Sequence, residues 1–167
     1  GIDPTMIELS EPPDYIREEI VETVYRDTAM EDLSLLDPRA TAKIASAFSM
    51  HPWIRRVVSV RKLPGGLVDV DAEYRRPVAM VYYRGADPTS ADAGKIGDYF
   101  YPVDGEGTML PTDDFSWAQT RDDYIHIIVP GATPSAGVLG SRFGDRRVEY
   151  AAKLAAVLDD YRERARI

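Results

Sequence analysis

Three carboxylates alternate along one short segment, at Asp69, Asp71 and Glu73. Side chains two residues apart in a β-strand point to the same face, so these carboxylates would project together. An array of carboxylate oxygens is the ligand type that Ca²⁺ and Mg²⁺ prefer. A metal-dependent hydrolase that uses these acids is therefore one hypothesis for the chemistry of this chain.

The same three acids have a second interpretation. A preceding segment carries Arg55 and Arg61, and an antiparallel hairpin would bring both arginines beside the acids. No glycine-rich metal loop accompanies the carboxylates, which favours a ladder of cross-strand ion pairs over a metal site. We therefore predict a protein without catalytic residues, bound metal or cofactor.

Other polar residues give weaker signals. The acid pairs at 113–114 and 122–123 fall in predicted loops, where both carboxylates face water, whereas general acid and base catalysis needs two different environments. His51 and His126 are the only histidines, and an ordinary hydrogen-bonded role is the default for each. The glycines of residues 137–144 lack the lysine and hydroxyl residue of a phosphate-binding loop.

The segment Asp104-Gly105-Glu106-Gly107 has the composition of a tight turn. It contains acids and glycines, but it lacks the alternating ligands and the terminal glutamate of a calcium-binding EF-hand loop. Its glycines can adopt positive φ angles. We expect a hairpin turn here, between residues 99–103 and 108–110.

The composition excludes several classes of partner. The 167 residues carry a net charge of −8, which opposes binding to nucleic acid and to anionic membrane surfaces. Cysteine is absent, so disulfides and thiolate chemistry are excluded. No apolar run approaches the ~18 residues that span a bilayer. Residues 1–5 precede Met6 and are typical of a cloning scar, so we expect upstream sequence to have been removed.

The chemistry-bearing residues must be positioned by a mixture of helices and strands. Helical periodicity predicts helices over residues 12–27 and 38–50. The period then changes to two, and the turn at Leu63-Pro64-Gly65-Gly66 predicts a hairpin. Its register pairs Val58 and Val60 with Val70 and Ala72, or with Val68 and Val70.

The second half of the chain is predicted to follow a long exposed loop over residues 82–97, which is the candidate domain boundary. A short strand over 124–129 and a loop over 130–144 follow. A final helix over 145–164 has an apolar face formed by Val148, Ala151, Ala152, Ala155, Leu158 and Tyr161.

Several motifs, in their order and spacing, resemble the bacterial cell-division family FtsQ/DivIB. They are Pro52-Trp53-Ile54, Arg61-Lys62-Leu63-Pro64, Arg75-Arg76-Pro77-Val78-Ala79, Pro102-Val103-Asp104-Gly105-Glu106-Gly107 and Ile127-Ile128-Val129-Pro130-Gly131. In that family a Pro-Trp pair closes a helix, and a strand ending in Arg-x-x-Pro precedes a second strand that runs into Arg-x-Pro-Val-Ala. Tyr74 stands where the family usually has an acid.

The resemblance implies an α+β fold, with a POTRA-like β-α-α-β-β module over residues 6–81. A partial β domain with a C-terminal helix follows over 98–167, since further strands follow this helix in the family. It also implies the extracytoplasmic, periplasmic part of a single-pass inner-membrane protein, anchored only by a transmembrane helix outside this sequence.

The family's role implies partners among other division or envelope proteins and no catalysis. A free strand edge would bind them by β-strand addition, with Ile54, Val57 and Arg61 as the expected contact residues. A POTRA unit of an outer-membrane assembly or secretion protein is the alternative within the same class of binding modules.

Overall fold

The computed structural model describes residues 1–86, 95–135 and 137–166, and it confirms a mixed α+β protein. The chain divides into two compact units, Gly1–Arg75 and Arg76–Ile167. The predicted division placed residues 76–81 in the first domain, whereas the structure places them in the second unit. In the described residues, no helix is both long enough and apolar enough to cross a bilayer.

The first unit contains one strand, two helices and two further strands. These elements are β1 (Ile7–Leu9), α1 (Ile20–Asp27), α2 (Ala40–Ser49), β2 (Ile54–Leu63) and β3 (Leu67–Tyr74). The strand order is β1-β3-β2, with β1 parallel and β2 antiparallel to β3. The predicted hairpin over β2 and β3 is therefore confirmed.

The core of the first unit contains the buried faces of β3 and α2. Val68, Val70 and Ala72 alternate along β3 and are buried. The residues at successive fourth positions of α2, Ala40, Ile44 and Phe48, are fully buried and so form one apolar helix face. Both patterns follow from the periods of 2.0 and 3.6 residues read from the sequence.

The first helix is shorter than predicted. The expected helix over residues 12–27 begins only at Ile20. The Tyr15 hydroxyl donates to the Arg75 carbonyl at 2.8 Å, and Ile16 is buried. Tertiary anchoring of Tyr15 and Ile16 therefore replaces the first helical turns, although both residues fit the helical period.

The second unit has a sheet of order β5-β4-β6. Its elements are β4 (Ala79–Ala86), β5 (Ile96–Val103), α3 (Trp117–Asp122), β6 (Ile125–Ile128) and α4 (Arg146–Ala165). The central strand β4 pairs antiparallel with β5 and parallel with β6. Val148, Ala152 and Ala155 of α4 belong to the same buried cluster as Val81 and Phe143.

Two predictions for the second half are corrected. A loop was predicted over residues 82–97, but β4 continues to Ala86 and β5 begins at Ile96; residues 87–94 of that prediction lie outside the described part of the chain. The hairpin predicted after β5 has its turn, but its returning arm makes only isolated bridges, Val103 with Met109 and Thr108 with Arg142.

Helix α3 was not predicted from the sequence. Ser116 accepts a hydrogen bond from the Gln119 amide, and the Gln119 side chain accepts one from the Ser116 amide. This reciprocal pattern is a capping box, and its Ser-x-x-Gln signature was present in the sequence. Helix α4 is confirmed, and the Asp145 carboxylate caps it by accepting from the Arg147 amide at 2.8 Å.

We predict that Tyr74 makes the first unit sensitive to alkaline pH. Its hydroxyl donates to the Ser10 carbonyl, and burial raises the pKa of Tyr74 to about 12. Since the unfolded phenol has a pKa of about 10, its stabilising contribution is complete below about pH 10 and is lost as pH rises through about 12.

The test compares the original protein with Tyr74→Phe by urea unfolding at about pH 9 and about pH 11.5. The original protein should lose more free energy of unfolding over this interval than the variant does. Tyrosines that both proteins share contribute equally to both curves. Equal losses would contradict the prediction.

Candidate partner-binding edge

Strand β2 forms one edge of the sheet in the first unit. It is ten residues long, and β3 is the strand on its inner side. In the described parts of the chain, no strand pairs with its outer side. An edge of this kind presents backbone N–H and C=O groups to which another chain can bind.

The hydrogen bonds of β3 show which groups of β2 point outward. The Ser10 amide donates to the Val70 carbonyl at 3.0 Å, so the backbone groups of Val70 point toward β1. Directions alternate along a strand, and therefore Asp69 and Asp71 point toward β2. Their partners, Arg61 and Ser59, face back toward β3.

Val60 and Lys62 flank Arg61, so their backbone groups face away from the sheet. Their cross-strand partners are Val70 and Val68. The Ala72 amide donates to the Ser10 hydroxyl oxygen at 3.0 Å, which agrees with this alternation because Ala72 also faces β1. The outer edge of β2 is therefore a defined row of donors and acceptors.

Two irregularities interrupt β2. The register shifts between Ile54 and Arg56 and again between Val57 and Ser59. A β-bulge leaves one residue without a direct partner and re-aims its side chain. Val58, at the second shift, is 45% exposed, although the predicted register placed it in the apolar face. Val60 pairs with Val70, as one predicted register required.

The face of the hairpin that carries Arg61 and Asp69, opposite to the face with the buried valines, is ionic. Arg61 lies 2.6 Å from the Asp69 carboxylate, as predicted. Arg56, rather than the predicted Arg55, is the cross-strand partner of Glu73, at 2.7 Å. The first register shift moves the arginine by one position. The Arg56 guanidinium lowers the pKa of the Glu73 carboxyl through a hydrogen bond and its charge.

These ion pairs bear on the metal hypothesis. Asp69 and Glu73 bind arginines, and the Asp71 carboxylate accepts from the Ser10 hydroxyl at 3.2 Å. Across residues 1–86, 95–135 and 137–166, no group of three or more His, Cys, Asp or Glu residues is arranged to hold a metal ion. The geometry of the three acids is that of a cross-strand ladder.

The three residues predicted to contact a partner have different environments. The Ile54 side chain is 1% exposed and belongs to the core, Val57 is half-buried, and Arg61 is exposed in its ion pair. Lys62 was not among the predicted contact residues, and its ammonium donates to the Leu35 carbonyl at 2.5 Å. Strand parity could have identified Lys62 and Val60 as the outward-facing backbone positions, had the position of β1 been known.

The motif residues behind the resemblance lie in the segments between helices and strands. Trp53 is fully buried, and its carbonyl accepts from the Arg75 amide at 2.8 Å. Pro52 lies just before Trp53, Pro64 lies in the turn between β2 and β3, and Pro77 precedes β4. Gly105 and Gly107 lie in the turn after β5, where Gly107 has a φ of 77°.

The turn at residues 104–107 is confirmed as a tight turn. Asp104 is buried, and one of its carboxylate oxygens accepts from the amides of Glu106 and Thr108, each at 2.9 Å.

The acid pairs at 113–114 and 122–123 differ from expectation in one respect. Asp114 is buried, whereas both members of its pair were predicted to face water. Asp122 is exposed and binds the neighbouring Arg121.

Both histidines have local structural partners. The Nδ1 atom of His51 accepts from the Trp53 amide at 3.1 Å, and its Nε2 atom lies 3.2 Å from a Glu18 carboxylate oxygen. The Nε2 atom of His126 lies 2.8 Å from the Thr120 carbonyl. Each imidazole ring therefore contacts residues of a neighbouring segment, which confirms the hydrogen-bonded role expected for both histidines.

Comparisons of this chain with protein-family models, with curated proteins and with solved structures gave no match.

Proposed function

We propose that this chain is a non-catalytic protein-interaction module that binds a partner by β-strand addition along β2. The observation that carries the proposal is the outward direction of the Val60 and Lys62 backbone groups on a ten-residue edge strand. Main-chain hydrogen bonds supply affinity in this binding mode, and alternate side chains supply specificity.

The surroundings of the edge indicate the type of segment that fits. Val57 and Val60 are half-buried on the same sheet face as the buried Val70, whereas Arg56 and Arg61 are exposed on the other face. An added strand would continue both faces. The preferred partner is therefore an extended segment whose apolar residues alternate with polar or acidic ones.

The order of elements supports a POTRA-type assignment for the first unit. A strand, two helices and two strands follow one another, as the resemblance to the FtsQ/DivIB family implies. We propose that the chain is the extracytoplasmic part of a single-pass inner-membrane protein and that its partners are division or envelope proteins. A POTRA unit of an outer-membrane assembly or secretion protein is the alternative that the same order supports.

A proline substitution at Val60 tests the binding edge. Proline lacks the backbone N–H, and at an outward-facing edge position this removes no bond of the protein's own sheet. Val60→Pro should therefore keep the far-ultraviolet circular dichroism spectrum and a cooperative melt. Binding of an envelope partner should fall by at least about tenfold, since a partner strand loses one hydrogen bond and meets the proline ring.

Val60→Ala is the matched control, because it shortens the same half-buried side chain but keeps the outward N–H. The three proteins are immobilised and incubated with detergent-solubilised envelope proteins of the source organism, and the bound proteins are quantified by mass spectrometry. A division protein retained by the original chain and by Val60→Ala, but lost with Val60→Pro, supports the proposal. Equal retention by all three would refute the edge mechanism.

A fluorescent fusion of the full-length protein separates the two cellular assignments. Localisation at the division septum supports the divisome role. Uniform distribution around the envelope, together with retention of outer-membrane assembly proteins, would favour the alternative POTRA assignment. Neither result affects the comparison between the proline and alanine variants.

A further inference from the structure

Helix α4 exposes a continuous apolar stripe that its own unit does not cover. Tyr150, Leu154, Val157 and Tyr161 are 66%, 51%, 66% and 72% exposed. Their spacings of four, three and four residues place them on one helix face, as in a coiled-coil seam. Leu158 is 53% exposed beside this seam, so Leu158 and Tyr161 do not share the buried helix face of Val148 as predicted.

The buried residues of α4 show which side of the helix carries the exposed stripe. Val148, Ala152 and Ala155 pack into the core of the second unit, so the opposite side of the helix faces outward. Near its C-terminal end, Asp159 lies 2.8 Å from Arg76 and Glu163 contacts the same guanidinium. The helix is thus held to its unit along its length while the seam remains accessible.

We propose that this seam binds the same seam of a second copy of the chain, in an antiparallel arrangement about a two-fold axis. A two-fold interface requires a surface that is complementary to itself. The seam has this property, because its order is tyrosine, aliphatic, aliphatic, tyrosine and its spacing reads the same in both directions. The antiparallel register packs Tyr150 against Tyr161 of the second copy, and Leu154 against Val157.

The charges beside the seam favour the same register. Lys153 immediately precedes Leu154, and Asp160 follows Val157 by three residues; both are exposed. In the antiparallel pair these positions flank the seam on the same side and face each other across it. Lys153 of each copy therefore meets Asp160 of the other, giving two opposite-charge pairs. A parallel arrangement would place like charges at the same level.

The length of the seam limits the expected affinity of the dimer. Residues 150–161 cover about three helical turns, or roughly 16 Å. Stable protein interfaces usually bury about 1,200–2,000 Å² in total, and one short helix pair buries less. The dimer should therefore form and dissociate with concentration, with a dissociation constant in the micromolar range.

Sedimentation equilibrium of the full chain, from low micromolar to near-millimolar concentration, tests the self-association. Val157→Lys places a charge in the seam and should weaken the dimer by at least about tenfold. Ile128→Lys is the matched control, since Ile128 is an exposed aliphatic residue of the same unit at 72% exposure and lies outside α4. This control should dimerise like the original chain.

Charge reversal tests the register. Lys153→Asp or Asp160→Lys alone should weaken association, because each places like charges opposite one another, and the double variant should restore it. A dimer that Val157→Lys disrupts but that the double variant does not restore would overturn the antiparallel register. A chain that stays monomeric throughout, or that Ile128→Lys disrupts equally, would overturn the self-association itself.

Cross-linking gives an independent measure of direction, because the chain contains no cysteine. A mixture of Tyr150→Cys and Tyr161→Cys proteins should form mainly the mixed disulfide under mild oxidation. Self-cross-linking of Tyr150→Cys should be weaker, since the antiparallel pair separates these positions by about 16 Å. Preferred self-cross-linking would indicate the parallel arrangement and contradict the proposal. These tests concern α4 and are independent of the Val60 variants.

Discussion

Replacing Trp53 with alanine is expected to destabilise the first unit by about 3–5 kcal/mol, because it removes a fully buried indole and leaves a cavity. The ring lies between the end of α2 and the start of β2, and its centroid is 5.6 Å from that of Tyr15. Tyr15 in turn donates to the Arg75 carbonyl. Loss of the indole therefore weakens the packing that holds the irregular segment before α1.

The free energy of unfolding is measured by urea titration, with circular dichroism as the probe. Met50→Ala is the matched control, because Met50 lies three residues earlier at the end of α2 and is 75% exposed. Met50→Ala should lower the free energy of unfolding by less than about 0.5 kcal/mol. If the two variants have similar unfolding midpoints, the buried Trp53 ring does not make the expected contribution to the stability of the first unit.

Elements that depend on local signals could be predicted from the sequence. The β2 and β3 hairpin was marked by an alternating pattern around Pro64-Gly65-Gly66, and α4 by apolar residues at helical spacing from Val148 onward. The turn at Asp104 was also marked locally, because aspartate and glycine have specific roles in turns. These features are determined within a few residues, so neighbouring sequence is sufficient.

Features that depend on distant residues were predicted incompletely. Residues 12–19 have helical periodicity, but the contact of Tyr15 with Arg75 determines their conformation. Residues 82–86 have the composition of a loop, yet they continue β4 and pair with β5; within this stretch, pairing with β6 is seen at Tyr82. Local composition contains no information about such pairings, which are formed across long separations in the chain.

At the candidate binding edge too, features set by neighbouring residues were predicted and features set by distant residues were not. Alternation along β2 predicted one apolar and one ionic face, and Arg61 with Asp69 confirms the ionic one. The bulge that brings Arg56 to Glu73 was not predicted, since no residue type in β2 indicates a bulge at that position. The outward direction of Val60 follows from the bond between Ser10 and Val70, which joins segments sixty residues apart.

Replacing Gly107 with alanine should destabilise the second unit by about 2–4 kcal/mol, for two reasons that add. Gly107 has a φ of 77°, a conformation that side chains other than glycine rarely adopt. In addition, a Cβ atom there would lie 3.0 Å from the Cα atom of Glu149, which belongs to the first turn of α4. Relief of this contact requires the helix backbone to move.

Gly131→Ala separates the two causes. Gly131 lies in the same unit and has the same φ of 77°, but a Cβ atom there would meet nothing within 4 Å. Its cost should be only the conformational part, about 1–2 kcal/mol. The difference between the two variants in urea unfolding therefore measures the contact with α4. Amide hydrogen exchange should show faster opening at the start of α4 in Gly107→Ala alone. Equal stabilities and equal exchange would mean that the turn after β5 does not support the helix, because the backbone conformation would then account for the whole effect.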